Sequence, residues 1–354
     1  MDQSVGRAPQ RPSVTRDVES RRAGVPEYRP PQRRYVLISP CRDEALYMRR
    51  TLESVARQSL PPSLWVVVDD GSVDDTPRIL EEYAARLPYL RVIRRDDRGS
   101  RAVGPGVIDA FYAGLQTVDL AEFGFLCKLD MDLELPLGYF ERLIQLMEAE
   151  PRLGTCSGKP YFSAPQNQNK SFEGPLIRET CGDEMSVGMT KFYRVDCFRE
   201  IGGFVRGVMW DGIDCHRCRM LGWLAASFDE VPLQFLHLRP EGSSQGGILR
   251  GRMRHGAGQW FMGTSLAYMT ASAIFRLPRS PLVIGSLAMW FGYVRAMLRR
   301  EARYDDRSFR EFLRRYQLRV LISGKAAATA RLNKQQAHVW QAMSRSTKNT
   351  AGGL

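Results

Sequence analysis

The stretch Leu64-Trp65-Val66-Val67-Val68-Asp69-Asp70-Gly71-Ser72 decides the reading of this chain. Five apolar residues end abruptly in two carboxylates and a glycine. A continuous apolar run of this length predicts a strand buried on both faces. Gly71 lets the chain turn tightly. A helix is expected from Thr76 to about Arg86, with Pro77 suited to its first turn. The alternation repeats outward. Tyr35–Ser39, Leu90–Ile93 and Phe123–Leu129 are further apolar runs, and residues 44–58 and 104–117 carry helical spacing. Strands alternating with helices predict an α/β fold, a mostly parallel sheet with helices on both faces. Ligands of such sheets lie beyond the carboxyl ends of the strands. The acidic residues of this sequence fall there.

The 354 residues are 44% hydrophobic and 25% charged, which excludes a wholly disordered chain, a collagen and a disulfide mini-protein. Seven cysteines without framework spacing, and no signal-peptide pattern, predict a reducing, cytoplasmic compartment. The net charge of +12 is uneven. Residues 1–34 hold eight arginines against four acids and read as a disordered basic tail. Residues 35–245 form the α/β domain. Over 35–241 there are 24 basic residues against 31 acidic ones, so a nucleic-acid partner is not expected. Residues 242–354 hold 19 basic residues against four acids. We assign 246–325 to a helical, membrane-associated region and 326–354 to a C-terminal tail. The Gly-, Pro-, Asn- and Gln-rich stretch 157–175 reads as a substrate-facing loop.

Three acidic clusters carry the chemistry. Asp69-Asp70-Gly71-Ser72, with Asp74-Asp75-Thr76, can accept hydrogen bonds from a base or a ribose, while Asp74 or Asp75 also suits a helix cap. Lys128-Leu129-Asp130-Met131-Asp132 places two carboxylates at a strand end. Together they can hold Mg²⁺ or Mn²⁺, with substrate phosphate oxygens completing the shell. Trp210-Asp211-Gly212-Ile213-Asp214 opens a helix. Asp214 there suits the helix dipole, and Asp211 is freer to act as a base toward a hydroxyl. Cys215-His216-Arg217-Cys218 lacks a second cysteine pair at zinc spacing, so no metal is expected on it.

As a set, these residues resemble a family 2 glycosyltransferase with the GT-A nucleotide-sugar fold. Ser39-Pro40-Cys41-Arg42-Asp43-Glu44 is similar to that family's P-x-Y-N-E stretch, and Ser54–Gln58 to its S-(V/L)-x-x-Q helix end. Asp69–Thr76 is similar to D-D-G-S-x-D-x-T, and Asp130–Pro136 to D-x-D-x-x-x-P. Asp211 stands eleven residues before Gly222-Trp223, where the family carries its base. The resemblance implies a metal-dependent, inverting transfer of a sugar from a nucleoside diphosphate sugar, UDP being the expected carrier. It implies Asp211 as the base. Pro40, Cys41, Arg42, Glu44, Asp70, Lys128 and Asp130 would bind the nucleotide, and Asp130, Asp132 and His237 the metal. Asp109, Asp214, Arg239, Arg250 and Arg254 would face the diphosphate or the acceptor. Arg42-Asp43 departs from the family's Tyr-Asn, and Asp109 from an Asn in the helix after Gly99. Gly258-Gln259-Trp260 lacks the arginine of the processive Q-x-x-R-W motif, which disfavours a processive synthase. A non-catalytic relative would be expected to have lost Asp132 or Asp211, and both are present.

Between Gly242 and Arg300 there is no acid but there are eight arginines. They flank two uncharged runs, Trp260–Phe275 and Pro281–Val294, each shorter than the roughly 20 residues a spanning helix needs. The pattern predicts interfacial helices on an anionic membrane surface, with Trp260, Tyr268, Trp290 and Tyr293 as interface aromatics. A basic amphipathic helix is expected over 301–320, with Phe309, Phe312, Leu313 and Tyr316 apolar. A place on the cytoplasmic face of the membrane would suit a polyprenyl-diphosphate-linked glycan acceptor in exopolysaccharide or cell-surface glycan assembly.

Overall fold

The computed structural model describes residues 33–97, 105–163, 176–179, 181–239, 247–278 and 282–351. The readings for residues 1–32, Gly99 and 164–175 lie outside the described residues. The chain runs β1 (Tyr35–Cys41), α1 (Met48–Ala56), β2 (Leu64–Asp69), α2 (Thr76–Arg86), β3 (Leu90–Arg94), α3 (Pro105–Leu115) and β4 (Phe125–Leu129). Strands β4, β1, β2 and β3 pair in parallel in that order. Successive residues of β1 feed opposite faces. Tyr35 and Leu37 pack with Trp65, Phe140 and Phe192, while Val36 and Ile38 pack with Ile108, Phe111 and Tyr193. Covering both faces is what made these strands continuously apolar.

Beyond residue 130 come β5 (Leu133–Glu134), α4 (Tyr139–Ala149), β6 (Leu153–Ser157), β7 (Lys159–Ser163), β8 (Leu176–Arg178) and β9 (Thr190–Arg194). Then follow α5 (Val195–Glu200), α6 (Trp210–Met220), β10 (Leu224–Ser227) and β11 (Gln234–His237). The main sheet has the order β10-β6-β9-β4-β1-β2-β3. Strand β9 lies antiparallel between β4 and β6, so the sheet is mostly parallel. A second sheet, β5-β11-β7-β8, sits beside the D-x-D turn. Part of the expected loop at 157–175 is therefore strand β7.

Five helices follow: α7 (Ile248–Met262), α8 (Leu266–Arg276), α9 (Ile284–Leu298), α10 (Arg307–Ser323) and α11 (Lys325–Ala351). The uncharged run Trp260–Phe275 is not one helix. Gly263, at φ +98°, ends α7, and Ser265 Oγ accepts the Tyr268 N–H at 3.3 Å to start α8. The helix expected over 301–320 is α10. Its Phe309, Leu313 and Tyr316 pack on Ile213, Met262, Ala328 and Leu332, so protein, not lipid, covers that apolar face. Residues 325–351 form a 27-residue helix where a tail was expected. Its Trp340 meets Trp223 of the α/β domain at 6.2 Å between ring centres. Tyr293 is buried, its hydroxyl on the Thr264 carbonyl at 2.7 Å, so it is not an interface aromatic. Among the described residues no helix is long and apolar enough to cross a membrane.

Candidate active site

The parallel strands β1, β2 and β4 end on one edge, at Cys41, Asp69 and Leu129. Asp69 and Asp70 do different work there. Buried Asp69 closes the turn, its Oδ1 accepting the Ser72 N–H at 2.9 Å. Gly71 is at φ +76°, and a Cβ on it would lie 2.5 Å from the Asp97 backbone. Asp70 Oδ1 accepts from Arg95 at 2.7 Å, and its N–H donates to the Cys41 carbonyl at 2.9 Å. Arg42 donates to the Asp70 carbonyl at 2.9 Å and to Asp97 at 2.6 Å. Asp74 takes the turn role, accepting the N–H groups of Thr76 at 2.9 Å and Ala45 at 3.1 Å. Pro40 and Cys41 are buried in the last residues of β1. The edge thus brings Cys41, Arg42 and Asp70 together.

The two D-x-D carboxylates diverge. Asp130 Oδ1 takes the buried Lys128 ammonium, which also donates to the Gly188 carbonyl at 3.0 Å. Asp132 faces the second sheet. Pairing of β5 with β11 sets His237 opposite Leu133, and the Leu238 N–H donates to the Asp132 carbonyl at 2.8 Å. His237 Nε2 then lies 3.8 Å from Asp132 Oδ2, while its Nδ1 bonds Glu179 at 2.6 Å. Arg239 bridges the site, with Nε 3.1 Å from Asp132 Oδ2 and an Nη on Glu44. Burial would raise Asp132, but His237, Arg239 and Lys128 hold it below the usual carboxylate range. Burial opposes charge on His237, yet its bonds to Asp132 and Glu179 push it up to about 10.

No three His, Cys, Asp or Glu side chains converge as a complete metal cage among the described residues. Asp130 is therefore not assembled with Asp132 and His237 as a third ligand. The remaining pair, one carboxylate and an imidazole whose Nε2 must give up its proton on binding a cation while Nδ1–H stays on Glu179, is a donor set that suits Mn²⁺ or Mg²⁺ when phosphate oxygens and water fill the shell.

Asp211 sits in the first turn of α6, against Gly188. A Cβ on Gly188 would come 3.0 Å from Asp211 Oδ2. Lys191 Nζ donates to the Asp211 carbonyl at 2.8 Å and to both Asp214 oxygens at 2.7 and 2.6 Å. Asp214, expected near the diphosphate or acceptor, is instead a wholly buried partner of Lys191 and the Tyr193 hydroxyl. Through Lys191 it holds the turn that carries Asp211. Asp109 is likewise engaged elsewhere, paired with the exposed Arg206. Arg250 and Arg254 lie on α7, and neither lines the cavity at Asp211. Cys215 and Cys218 are buried free thiols inside α6.

Lys191 was missed by sequence reasoning, as was Trp210, whose ring lies 5.1 Å from Lys128 Nζ and 5.7 Å from Lys191 Nζ. The available signal was a lysine inside the otherwise strand-like Thr190–Tyr193. Arg95 and Glu179 had no motif to mark them.

The glycosyl transferase family 2 model matches residues 36–207, which hold the first two acidic clusters. Residues 36–207 belong to glycosyl transferase family 2. The family 2 domain has the α/β, GT-A-like arrangement that the motifs implied. It is similar to the putative glycosyltransferase EpsH of Bacillus subtilis (strain 168), 27% identical over 199 residues, or 54% of this chain and 51% of EpsH. The chain thus spans about half the length of that relative. Among solved structures it is similar to the mannosyltransferase PcManGT from Pyrobaculum calidifontis in complex with GDP-Man and Mn²⁺. That likeness is 17% in identity, over 96% of this chain and 95% of that one, with a TM-score of 0.46. It is also similar to S. aureus TarS 1–349, at 14% identity over 88% and 92%, with a TM-score of 0.44.

Proposed function

We propose that this family 2 domain is a metal-dependent, inverting glycosyltransferase that moves a sugar from a nucleoside diphosphate sugar, UDP-linked first in expectation, to an acceptor hydroxyl. The observation that carries the reading is the contact of Asp132 with His237 and Arg239, the latter shared with Glu44, on the strand-end edge that also carries Asp70, while Asp211 lies against Gly188, whose carbonyl takes the Lys128 ammonium of the same edge. Asp70, with Arg42 and Arg95, binds the nucleoside. Arg239, shared between Glu44 and Asp132, exchanges a carboxylate for diphosphate oxygens. Asp132 and His237 would hold Mg²⁺ or Mn²⁺, whose charge offsets that of the departing diphosphate. Asp211 takes the proton from the acceptor hydroxyl as its oxygen bonds to the anomeric carbon and the bond to the diphosphate breaks. One displacement from the opposite face inverts that carbon.

The acceptor in this reading is a polyprenyl-diphosphate-linked glycan at the cytoplasmic face of the membrane, in exopolysaccharide or cell-surface glycan assembly. Its support is α9. Ile284, Leu287, Phe291 and Leu298 recur on one face and are 59%, 56%, 54% and 73% exposed. The opposite face packs so closely on α7 that a Cβ on Gly292 would lie 2.1 Å from the Met253 carbonyl. Small residues that let helices meet, with apolar side chains outward, suit a lipid-facing pair. The arginines at both ends supply attraction to anionic headgroups.

The test is hydrolysis and calorimetry against a panel of nucleotide sugars, with and without Mn²⁺. One nucleotide sugar should be hydrolysed, and only with the cation. Hydrolysis of none would end the reading. Flotation with liposomes of graded anionic content tests the second part. Binding should rise with anionic lipid and fall with salt, and Leu287→Ser with Phe291→Ser should weaken it.

A further inference from the structure

Between Asp211 and the C-terminal helices lies a cavity of about 410 Å³, lined among others by Gly188, Asp211, His255, Gln259, Tyr268 and Gln317. The family match ends at residue 207, so α7 to α10 bring side chains that its motifs do not describe. The charged groups on the wall are already engaged: Glu179 by His237, Glu184 by Lys325 and Arg276 by Ser272. Six methionines complete the lining, and thioethers adapt to an uncharged ligand. His216, nine-tenths buried on the same wall, has an Nδ1 without a hydrogen-bond partner among the described residues.

One line of hydrogen bonds crosses these helices with a fixed direction. The Ser265 N–H donates to Gln317 Oε1 at 3.0 Å, which orients that amide. Gln317 Nε2 then donates to Thr264 Oγ1 at 3.1 Å, leaving the threonine hydroxyl to donate to Gln259 Oε1 at 2.7 Å. Gln259 Nε2 must therefore donate to His255 Nε2, 3.3 Å away. A backbone N–H, which cannot reverse, sets the sense of the whole chain. His255 accepts at Nε2, so as a neutral ring it carries its proton on Nδ1. Burial and the nearby Arg276 keep the ring neutral, pushing it down to about 4 against the pull of Asp211.

We propose that this cavity is the acceptor subsite and that His255 is an acceptor-binding residue, its Nδ1–H donating to an oxygen of a neutral sugar whose neighbouring hydroxyl faces Asp211. The assignment rests on the glycosyltransferase reading and adds the class of acceptor: an uncharged hexose end, not a phosphate, at this point of the site. The relay makes His255 a one-way donor, and a sugar oxygen can always accept.

The test uses the full-length protein labelled with ¹⁵N-histidine, whose four histidines are assigned by single substitution. At pH 7 the His255 signal should report the neutral Nδ1–H tautomer. A panel of octyl hexosides (gluco, galacto and manno) should include one that moves it, and inorganic phosphate should not. With that hexoside as acceptor, His255→Ala should raise its KM about tenfold, with a smaller effect on kcat, as loss of one hydrogen bond predicts. His255→Asn, which keeps an N–H near the Nδ1 position, should recover most of the loss. A protonated or Nε2–H ring, a signal that no hexoside moves, or an unchanged KM in His255→Ala would each overturn the proposal. Failure to hydrolyse any nucleotide sugar would strike the glycosyltransferase reading instead.

Discussion

The two walls of the site are built from different materials. The proposed donor wall, on the strand ends, is a set of ion pairs in which Arg42 meets Asp97, Arg95 meets Asp70, Lys128 meets Asp130, Arg239 meets Asp132 and Glu44, and His237 meets Asp132 and Glu179. The proposed acceptor wall, on α6 to α10, offers amides, neutral rings and thioethers around Asp211, beside charged groups that are already engaged. A diphosphate entering the first wall replaces carboxylates that the cations already hold, so little rearrangement is needed to receive charge. A sugar entering the second displaces no ion pair. The contrast predicts that donor affinity depends on charge and acceptor affinity on hydrogen-bond direction.

The largest effects should divide along that line. Asp211→Asn should lower turnover by about 10²–10⁴-fold while leaving donor affinity near normal, since the carboxylate acts on the acceptor proton. Asp132→Ala should lower turnover comparably and also weaken donor binding, because it removes a partner of both His237 and Arg239. Kinetics paired with calorimetry reads both quantities. Equal losses of donor affinity in the two variants would erase the distinction between the walls.

The next effect concerns what joins them. Lys191 is fully buried and ties the turn of Asp211 to the core through Asp214. Lys191→Met leaves an uncompensated buried carboxylate and should cost about 3–5 kcal/mol in denaturant unfolding. Adding Asp214→Leu should recover part of that cost. A double variant no more stable than the single would mean that the pair is not the unit holding the turn.

How much of this was legible in the sequence follows the same division. Strands β1 and β2 were readable because a sheet covered on both faces needs uninterrupted apolar runs, and the acids that stop β2 mark the ligand edge. Asp70, Asp132, Asp211, His237 and Arg239 were named from motifs, and the structure brings Asp132, His237 and Arg239 into contact. Strand β9 was not readable. Lys191 and Arg194 break its apolar run, and only their distant partners, Asp214 and the Leu153 carbonyl, make burial tolerable. The amphipathic pattern of α10 was correct, but periodicity shows that a face is apolar, not what covers it. The His255 relay takes its direction from two bonds to Gln317 that span 52 and 53 residues, and these have no local signature.

A smaller effect should appear in acid, and part of it should come from His216. His216 of α6 lies between Phe309 and Tyr316 of α10, 6.4 and 5.3 Å between ring centres. Burial, then Arg219, Lys325 and Lys191, push it down to about 3. Its unfolded value is near 6.5, so below that pH the unfolded chain binds a proton that the folded chain refuses. Stability from this residue is complete above about pH 6.5 and declines as pH falls toward 3. At pH 5 the loss should be roughly 2 kcal/mol. Unfolding midpoints measured from pH 7.5 to 4.5 should drop for the native chain, and His216→Leu should flatten part of the slope. An identical slope in the variant would remove His216 as its source.

The smallest predicted effect tests whether the donor wall ends where the ion pairs suggest. Asp109 stands in the helix that the family resemblance associates with the donor sugar, yet its carboxylate is held by Arg206, itself 55% exposed beside the Tyr112 ring. An exposed pair of this kind contributes about 0.5 kcal/mol or less, because water and salt screen it. Asp109→Asn and Arg206→Ala should each shift stability by no more than that. The double variant should match either single one, since both remove the same contact. Neither should alter donor affinity, because the carboxylate is engaged on the surface and not among the strand-end ion pairs. A clear loss of donor binding in Asp109→Asn, without one in Arg206→Ala, would extend the donor wall onto α3 and give the carboxylate a partner in the bound state that it lacks here.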